Sequence, residues 1–592
     1  MTDTVNPIRD IFFILFQYLS IQDQVWLETK YKGLSQTDIE AIIKQFAKFS
    51  NVVVAPTNRV GDLEGVKYEN GNVTVPSSMV KVYEDYVAQG WSTLIYPTEY
   101  GGQNLPFILM AMHNEIFSNA NMSLSTYVGL SQFATSGIEK LGTIEQKQMF
   151  LPNMVAGNWT GTMCITEPHC GTDVGLIKTK AVSTENGTYK IYGTKIFISG
   201  GEHDLADNII HMVLARLEGA TSGVNGLSLF IVPKRAVDKK NIDKHNKISC
   251  SGIEHKMGIH GSATCTLNFE GSIGYLVGNE NEGLKGMFVC MNEARLGTAA
   301  QSLGVADAAF DKSYHYAKER LQSKSIEKPN KFCEADPIIV HADVRRMLMV
   351  QKSLIEGSRA LNYYVATLID RDIFSERDSE SDFTEFLTPI CKGFITEISV
   401  ECCIHAIQIF GGHGYVGESG VEQHLRDVKI TTLYEGTTGI QGLDLLARKI
   451  LMNKLKPMLD IRKTFNKKID DGFKDERIVE FKNCQEEAVN LWIKLANNIG
   501  ERSQTNKNEI ASVATEFLML SGYIMLGYQW VLMASVASES LSKGGTDPIY
   551  QSKIDTAQFY FDKVFTRTEG LFLSIKNGMS STCSIAEDSI RL

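Results

Sequence analysis

Residues 159–173 read WTGTMCITEPHCGTD, and at this point the chain changes its period. Upstream, residues 80–155 carry apolar side chains at helical spacing, interrupted at Tyr96-Pro97 and by the Gly-Gly-Gln-Asn-Leu-Pro loop at 101–106. Downstream come short β-branched and aromatic runs at 162–165, 189–192, 195–198, 209–214, 227–231 and 265–269, with Gly or Asn between them. This pattern predicts a small β-domain, a barrel or sandwich, over 159–283. From Gly283 the helical period returns in long segments (283–291, 296–322, 338–371, 384–410), as in a four-helix bundle. The predicted fold is mainly α with a central small β-domain. Its divisions are an N-terminal helical domain at 1–158 with a lid-like extension, the β-domain at 159–283, the bundle at 284–455 and a C-terminal helical domain at 456–592.

Composition narrows the function classes. The 592 residues are 43% hydrophobic and 22% charged with a net charge of −10, so phosphate neutralisation along a nucleic acid is disfavoured. Eleven scattered cysteines without a C-x-x-C pair point to reduced thiols in the cytoplasm rather than a disulfide framework or a zinc site. No secretory signal is expected from the N-terminal residues. Residues 517–538 carry no charge and reach membrane-spanning length, but Ser521, Gly522, Gln529 and Ser535 predict a buried helix rather than a membrane span. The apolar cluster at 11–16 reads as core in preference to a lid over a pocket.

Three stretches carry candidate chemistry. In the first, Thr431-Thr432-Leu433-Tyr434-Glu435-Gly436-Thr437-Thr438 places one carboxylate between an aromatic residue and a glycine, which lets backbone approach a ligand closely. The residues alone leave two readings open, a base aimed into a dry site and a solvated turn glutamate. In the second, the turn at 163–173 can present N–H groups and the Thr166 and Thr172 hydroxyls to a polar cofactor edge. The third is Lys195-Ile196-Phe197-Ile198-Ser199-Gly200-Gly201, where an aromatic side chain could shield a flat ring; alone it reads as a plain strand. His169, His203, His255, His260 and His413 lack metal-ligand spacing, and no metal is expected.

The order of these stretches is more specific than any one of them. Thr-Glu-Pro-x-x-Gly-Thr-Asp, then Phe-Ile-Ser, then Gln-Ile-Phe-Gly-Gly at 408–412, then Tyr-Glu-Gly-Thr resembles the acyl-CoA dehydrogenase family. The helix–sheet–helix rhythm matches it over 50–455. The added ends, with GTKIFISGGEHDL at 193–205, resemble its larger bacterial branch, to which 3-methylmercaptopropionyl-CoA dehydrogenases belong.

That resemblance implies an FAD enzyme acting on an acyl-CoA, as in fatty acid β-oxidation. It yields a trans-2-enoyl-CoA and passes electrons to an electron-transfer flavoprotein. It implies Glu435 as the base. The FAD contacts it implies begin with Met163, Ile165, Thr166, Gly171 and Thr172, and continue with Phe197, Ile198 and Ser199, where many members have Trp-Ile-Thr. Arg320 and Gln322 match the segment that reaches the FAD pyrophosphate of a neighbouring subunit, although Ser323-Lys324 follows where many members have Phe-Gly. Gln408, Ile409, Phe410, Gly411 and Gly412 match the loop that holds the adenine half, and Thr437 also falls at the cofactor. These two segments imply a homo-oligomer, first a homodimer. Thr172, Asn292 (Asp in many members), Arg295, Tyr434 and Gly436 fall at substrate positions. Some members take the base from the position before the matching Arg; here that is Ala294, and Glu293 points about 100° away around a helix. Two alternatives are an acyl-CoA oxidase using O₂ and a DNA-associated flavoprotein on the same fold.

Overall fold

The computed structural model describes residues 7–591 apart from 239–240, 328–330, 376–377 and 470–474. The chain divides into two compact units, one of residues 45–297 and one of 1–44 with 298–592.

In the 45–297 unit, helices Ser77–Ala88, Phe107–Ala120, Met122–Leu141 and Ile144–Ala156 precede a seven-stranded sheet. The helix starts are set locally. Asn121 accepts from Leu124 N–H, and Thr143 with Gln146 forms a capping box. We number the strands of this sheet β1 (Trp159–Cys164), β2 (Lys180–Ser183), β3 (Tyr189–Ser199), β4 (Asn208–Leu217), β5 (Leu227–Pro233), β6 (Ile248–Ile253) and β7 (Thr264–Val277). The pairings β7–β3–β2–β4–β5–β7 close on themselves, with β6 added to β7 and β1 to β4. The β-domain is therefore barrel-like. Ala134, Ile138, Phe150, Leu151 and Met154 of the helices share one apolar cluster with Trp159, Ile210, Met212, Leu214, Leu229 and Ile231 of the strands.

Two differences from the sequence reading have simple causes. The runs at 189–192 and 195–198 are one strand, continued through Gly193, where a Cβ would lie 2.5 Å from Thr179 Oγ1. Strands β2 and β6 escape the sequence reading because KAVS and ISCSGI are short and polar, with little alternating apolar signal.

The other unit is helical. Ala342–Ser375 and Asp378–Phe410 pack against each other and against Asn508–Ser542. That last helix is apolar on all sides and buried along most of its length, as the sequence predicts for 517–538. Trp530 Nε1 donates to Ser353 O at 3.1 Å, and a Cβ on Gly522 would sit 2.1 Å from Phe394 Cγ, so these helices touch nearly backbone to side chain. Residues before and after 455 thus share one core, and the compact units do not divide the chain there.

Helices over 383–410 and 508–542 are long and apolar enough to cross a membrane by length and composition, and most of each apolar window is buried within the protein. The 11–16 cluster is core: Ile11, Phe13, Ile14 and Leu15 are at most 1% exposed. Beside it Asp10 accepts from Arg359 and Lys553, and Lys553 also donates to Glu356. Of the eleven cysteines, the ten whose side chains are described form no disulfide.

Candidate active site

The Tyr-Glu-Gly-Thr stretch is a loop between a turn of 3₁₀ helix at Lys429–Thr432 and the helix Thr438–Leu443. Glu435 is half-buried, with φ of 55°, and Gly436 follows with φ of 86°. Left-handed backbone at a glutamate is uncommon and needs support from its surroundings. The support comes from side chains. Tyr434 OH donates to Gln301 Oε1 at 2.8 Å, on helix Gly283–Glu319. Lys392 Nζ, on Asp378–Phe410, donates to Gly436 O at 2.5 Å. Gln441 Nε2 donates to Glu435 O at 2.9 Å. Thr438 Oγ1 donates to Glu397 Oε1 at 2.5 Å. Burial and the Glu435 charge push the Tyr434 hydroxyl up, so it stays a donor. Thr437, expected at the cofactor, is engaged locally, where its hydroxyl caps the helix by accepting from Ile440 N–H. This loop is pinned, unlike a solvated turn.

The second stretch folds around one buried ion pair. Lys195 Nζ donates to Glu167 Oε1 at 2.9 Å and to Ile165 O at 2.8 Å. Glu167 also accepts from Thr179 Oγ1, Thr179 N and Lys178 N. Burial pushes the Glu167 carboxyl up, but Lys195 and these donors outweigh it and hold the group below its usual value. The pair fixes the exit of β1. Met163 and Ile165 pack on the core, Thr166 is half-buried, and Gly171 and Thr172 are exposed on the turn beyond. Ile196 N–H donates to Thr166 O at 3.0 Å, which ties this turn to β3.

There β3 bulges. The pairing with β7 slips between Cys265 and Leu267, and Phe197 takes φ of 58° with 58% of its surface exposed. An aromatic face is thus held outward beside the Thr166 turn, which suits a flat ring such as a flavin. The side chain of Ile198 turns inward. It is 2% exposed and belongs to the interior, while Ser199 stays half-buried.

The third group lies at one end of the helical unit. Phe410 stacks on Tyr316, ring centroids 4.1 Å apart, and Tyr316 OH pairs with His413 Nδ1 at 3.0 Å. Gln408, Gly411, Gly412, Arg320 and Gln322 are exposed around this stack. The side chain of Ile409 also turns inward. It is 4% exposed and packs with Ala317, Ile338, Met347 and Leu348.

On helix Gly283–Glu319, Asn292 is half-buried and Arg295 is buried. Glu293 is buried and ion-paired with Lys140, and Ala294 has no proton to exchange. The base reading is therefore left to Glu435. Among the described residues, the possible ligand atoms of Glu167, His169 and Cys170 lie within 4.8 Å of one another, although sequence spacing suggests no cluster. Both Glu167 oxygens are already engaged by protein donors, and His169 Nε2 bonds Leu176 O at 3.0 Å.

Sequence reasoning missed Glu167, Lys195, Lys392, Glu397, Gln301 and Gln441. Lys392 had a signal, as the one charge in the apolar run FLTPICKGFIT at 386–396. The hydrogen bonds of Gln301 and Gln441 have no sequence period to reveal them.

Four family models cover most of the chain: "Acyl-CoA dehydrogenase, N-terminal domain" over 37–158, "Acyl-CoA dehydrogenase, middle domain" over 162–272, "Acyl-CoA dehydrogenase, C-terminal domain" over 281–451 and "Acetyl-CoA dehydrogenase C-terminal like" over 460–586. The chain is 37% identical to 3-methylmercaptopropionyl-CoA dehydrogenase of Ruegeria pomeroyi, over 94% of this chain and 95% of that protein. It is 31% identical to a butyryl-CoA dehydrogenase of Syntrophomonas wolfei, over 98% of each. The solved acyl-CoA dehydrogenase complexed with FAD from Bacillus anthracis shares the fold, with a TM-score of 0.75 and 21% identity over 94% of this chain and 90% of that one. The chain belongs to the acyl-CoA dehydrogenase family of FAD-dependent oxidoreductases.

Proposed function

We propose that this protein dehydrogenates an acyl-CoA thioester between Cα and Cβ, giving a trans-2-enoyl-CoA, with Glu435 as the base. The observation that carries the reading is the pinned left-handed conformation of Glu435 beside Gly436. A Cα–H next to a thioester is weakly acidic, so a base must be held at hydrogen-bond reach and the carbonyl must be polarised as the proton leaves. The Glu435 carboxylate takes the proton, and its own N–H is assigned to the carbonyl oxygen. The chemistry a bound FAD would supply is acceptance of the hydride from Cβ, which no side chain offers.

The chain's part in holding FAD falls to the Thr166–Thr172 turn and to Phe197 and Ser199. Arg320, Gln322 and Gln408, with the backbone of Gly411 and Gly412 just past the end of helix Asp378–Phe410, present exposed polar groups that fit the FAD of a second copy, which makes a homodimer the working assembly. Asn292 and Arg295 are assigned to the CoA side. Electrons leave to an electron-transfer flavoprotein, and we place the protein in the cytoplasm among the enzymes of fatty acid oxidation.

The relatives named above are called after butyryl-CoA and 3-methylmercaptopropionyl-CoA, both short acyl thioesters, and we take a short chain as the substrate class. The test is anaerobic mixing of the purified yellow protein with butyryl-, 3-methylmercaptopropionyl-, octanoyl- and palmitoyl-CoA while flavin absorbance is followed. We expect bleaching fastest with one of the two short thioesters. No bleaching by any of the four sinks the activity, and peroxide made in air at the turnover rate assigns it to an oxidase instead.

A further inference from the structure

The Glu435 loop is held by its backbone carbonyls, and two side chains hold them. Glu435 and Gly436 both lie at positive φ, and neither residue belongs to a helix or strand. Their carbonyls therefore accept from side chains, Glu435 O from Gln441 Nε2 at 2.9 Å and Gly436 O from Lys392 Nζ at 2.5 Å. The second carbonyl also lies 3.4 Å from Gln441 Nε2.

Both side chains are 0% exposed. An ammonium taken wholly out of water is retained only where it meets strong acceptors, and a buried carbonyl that loses its donor is penalised. The Gln441 amide is committed to the loop: its Oε1 has no hydrogen-bond partner among the described residues, so the two carbonyls set its orientation. Gly436 belongs to the same device, since a Cβ there would lie 2.8 Å from Gln441 Nε2. The two grips come from different helices, Lys392 from Asp378–Phe410 and Gln441 from Thr438–Leu443.

We propose that Lys392 and Gln441 are positioning residues for the dehydrogenation: by gripping the carbonyl oxygens of Glu435 and Gly436 they hold the Glu435 carboxylate where it meets the Cα proton. This rests on the reading of Glu435 as the base. Rotation about the 435–436 peptide would swing the carboxylate by ångströms without unfolding either helix, and a misplacement of about 1 Å costs on the order of 100-fold in rate.

The test uses the full-length, FAD-loaded protein carrying Lys392→Met, Lys392→Gln, Gln441→Leu, Glu435→Gln, or Lys392→Met with Glu435→Gln. The measurements are bound flavin, melting temperature, enoyl-CoA product affinity and anaerobic bleaching rate. Lys392→Met and Gln441→Leu are expected to slow bleaching by about 10- to 100-fold, with product affinity changed less than about threefold because product binding does not need the base. Lys392→Gln restores an N–H donor and should recover most of the rate. In the double variant the rate should equal that of Glu435→Gln alone, because the lysine acts through the glutamate.

Wild-type bleaching in Lys392→Met and Gln441→Leu overturns the positioning role and leaves the base reading standing. Wild-type bleaching in Glu435→Gln overturns the base reading itself. Equal losses in the Met and Gln variants that track lost flavin and melting temperature, or a further fall in the double variant, show a structural lysine and overturn the proposal. If Lys392→Met does not fold, Gln441→Leu decides by the same criteria.

Discussion

Lys195 and Lys392 are both 0% exposed, and each steadies a loop of the proposed chemistry, but they end on different partners. Lys195 meets the Glu167 carboxylate, which three further donors also hold, and the exit of β1 is locked by charge neutralisation. Lys392 meets a backbone carbonyl, and the loop it steadies keeps two residues at positive φ. A cofactor cradle has to stay put, and a buried ion pair whose two carboxylate oxygens both accept from protein donors does that. A base has to be held to within a fraction of an ångström, and a grip on the backbone beside it does that.

The largest effect tests the reacting end of this contrast. Glu435→Gln keeps the shape and the backbone N–H but removes the base, so flavin bleaching should fall by about two to four orders of magnitude in a stopped-flow trace. Melting temperature and flavin content should not move. Glu435→Asp should be slow as well, since losing one methylene withdraws the carboxylate by about 1.5 Å. If either variant loses flavin in step with rate, the loop is part of the cradle and the contrast is wrong.

The opposite pattern is expected at the other lysine. Lys195→Met leaves Glu167 buried without its counter-charge, a loss of about 3–5 kcal/mol, where removing both charges together is far milder. Thermal melting should fall sharply with the lysine variant and recover in the pair Lys195→Met with Glu167→Gln. Flavin content should follow stability. A lysine variant that keeps its flavin and its melting temperature would show that hydrogen bonds from Thr179 and Lys178 suffice, and that neutralisation is not what locks the turn.

Acid should also separate the two units. In the 45–297 unit, burial pulls His113 down to about 4, and burial with the Lys234 charge pulls His203 and His211 to about 3. The unfolded chain takes up protons at these histidines from its ordinary 6.5 downward, so their linkage removes stability from about pH 6.5 until the folded groups titrate. In the helical unit, burial opposes but the lysines at Glu356, and His405 with Arg567 at Glu401, win and hold both carboxyls near 2. Their contribution is intact above about 4.5 and is lost only as pH falls from there toward 2. Asp311, pushed up to about 6 by burial, gains stability as pH drops through that value, while buried His424 works the other way. Hydrogen exchange between pH 6.5 and 4.5 should therefore release peptides of 45–297 before those of 298–592. The reverse order would mean that His424 outweighs Asp311.

The sequence made the layout legible for physical reasons, and it singled out the carboxylate proposed as the base. Helical periods last long enough in 107–156 and 342–410 to mark helices, the near-continuous apolar run at 208–217 marks a strand buried on both faces, and a charge-free run of the length of 517–538 is buried in any compact protein. Glu435 between an aromatic residue and a glycine was visible as an oddity. What holds it was not, because a side chain that bonds a carbonyl leaves no pattern and its partner lies 44 residues away. The inward direction of the Ile198 and Ile409 side chains was not legible for another reason. Membership of a motif says nothing of direction, and both point into the core between neighbours that do not.

The smallest effect concerns strain. Phe197 sits at φ of 58° on the β3 bulge with most of its ring exposed, so the fold tolerates an unfavourable backbone to present an apolar surface outward. A bulky residue in the left-handed region costs about 1–2 kcal/mol, and Asn, which visits that region more readily, avoids part of it. Phe197→Asn should thus leave the apoprotein unchanged or more stable by up to about 1 kcal/mol in a denaturant titration. The same change removes the aromatic face from the proposed flavin contact, and FAD should bind roughly tenfold more weakly, the order expected for one aromatic stacking contact. A more stable apoprotein with weaker flavin shows that the strain is kept for the cofactor. Unchanged flavin affinity would make the bulge a feature of barrel closure alone and take Phe197 out of the cofactor site.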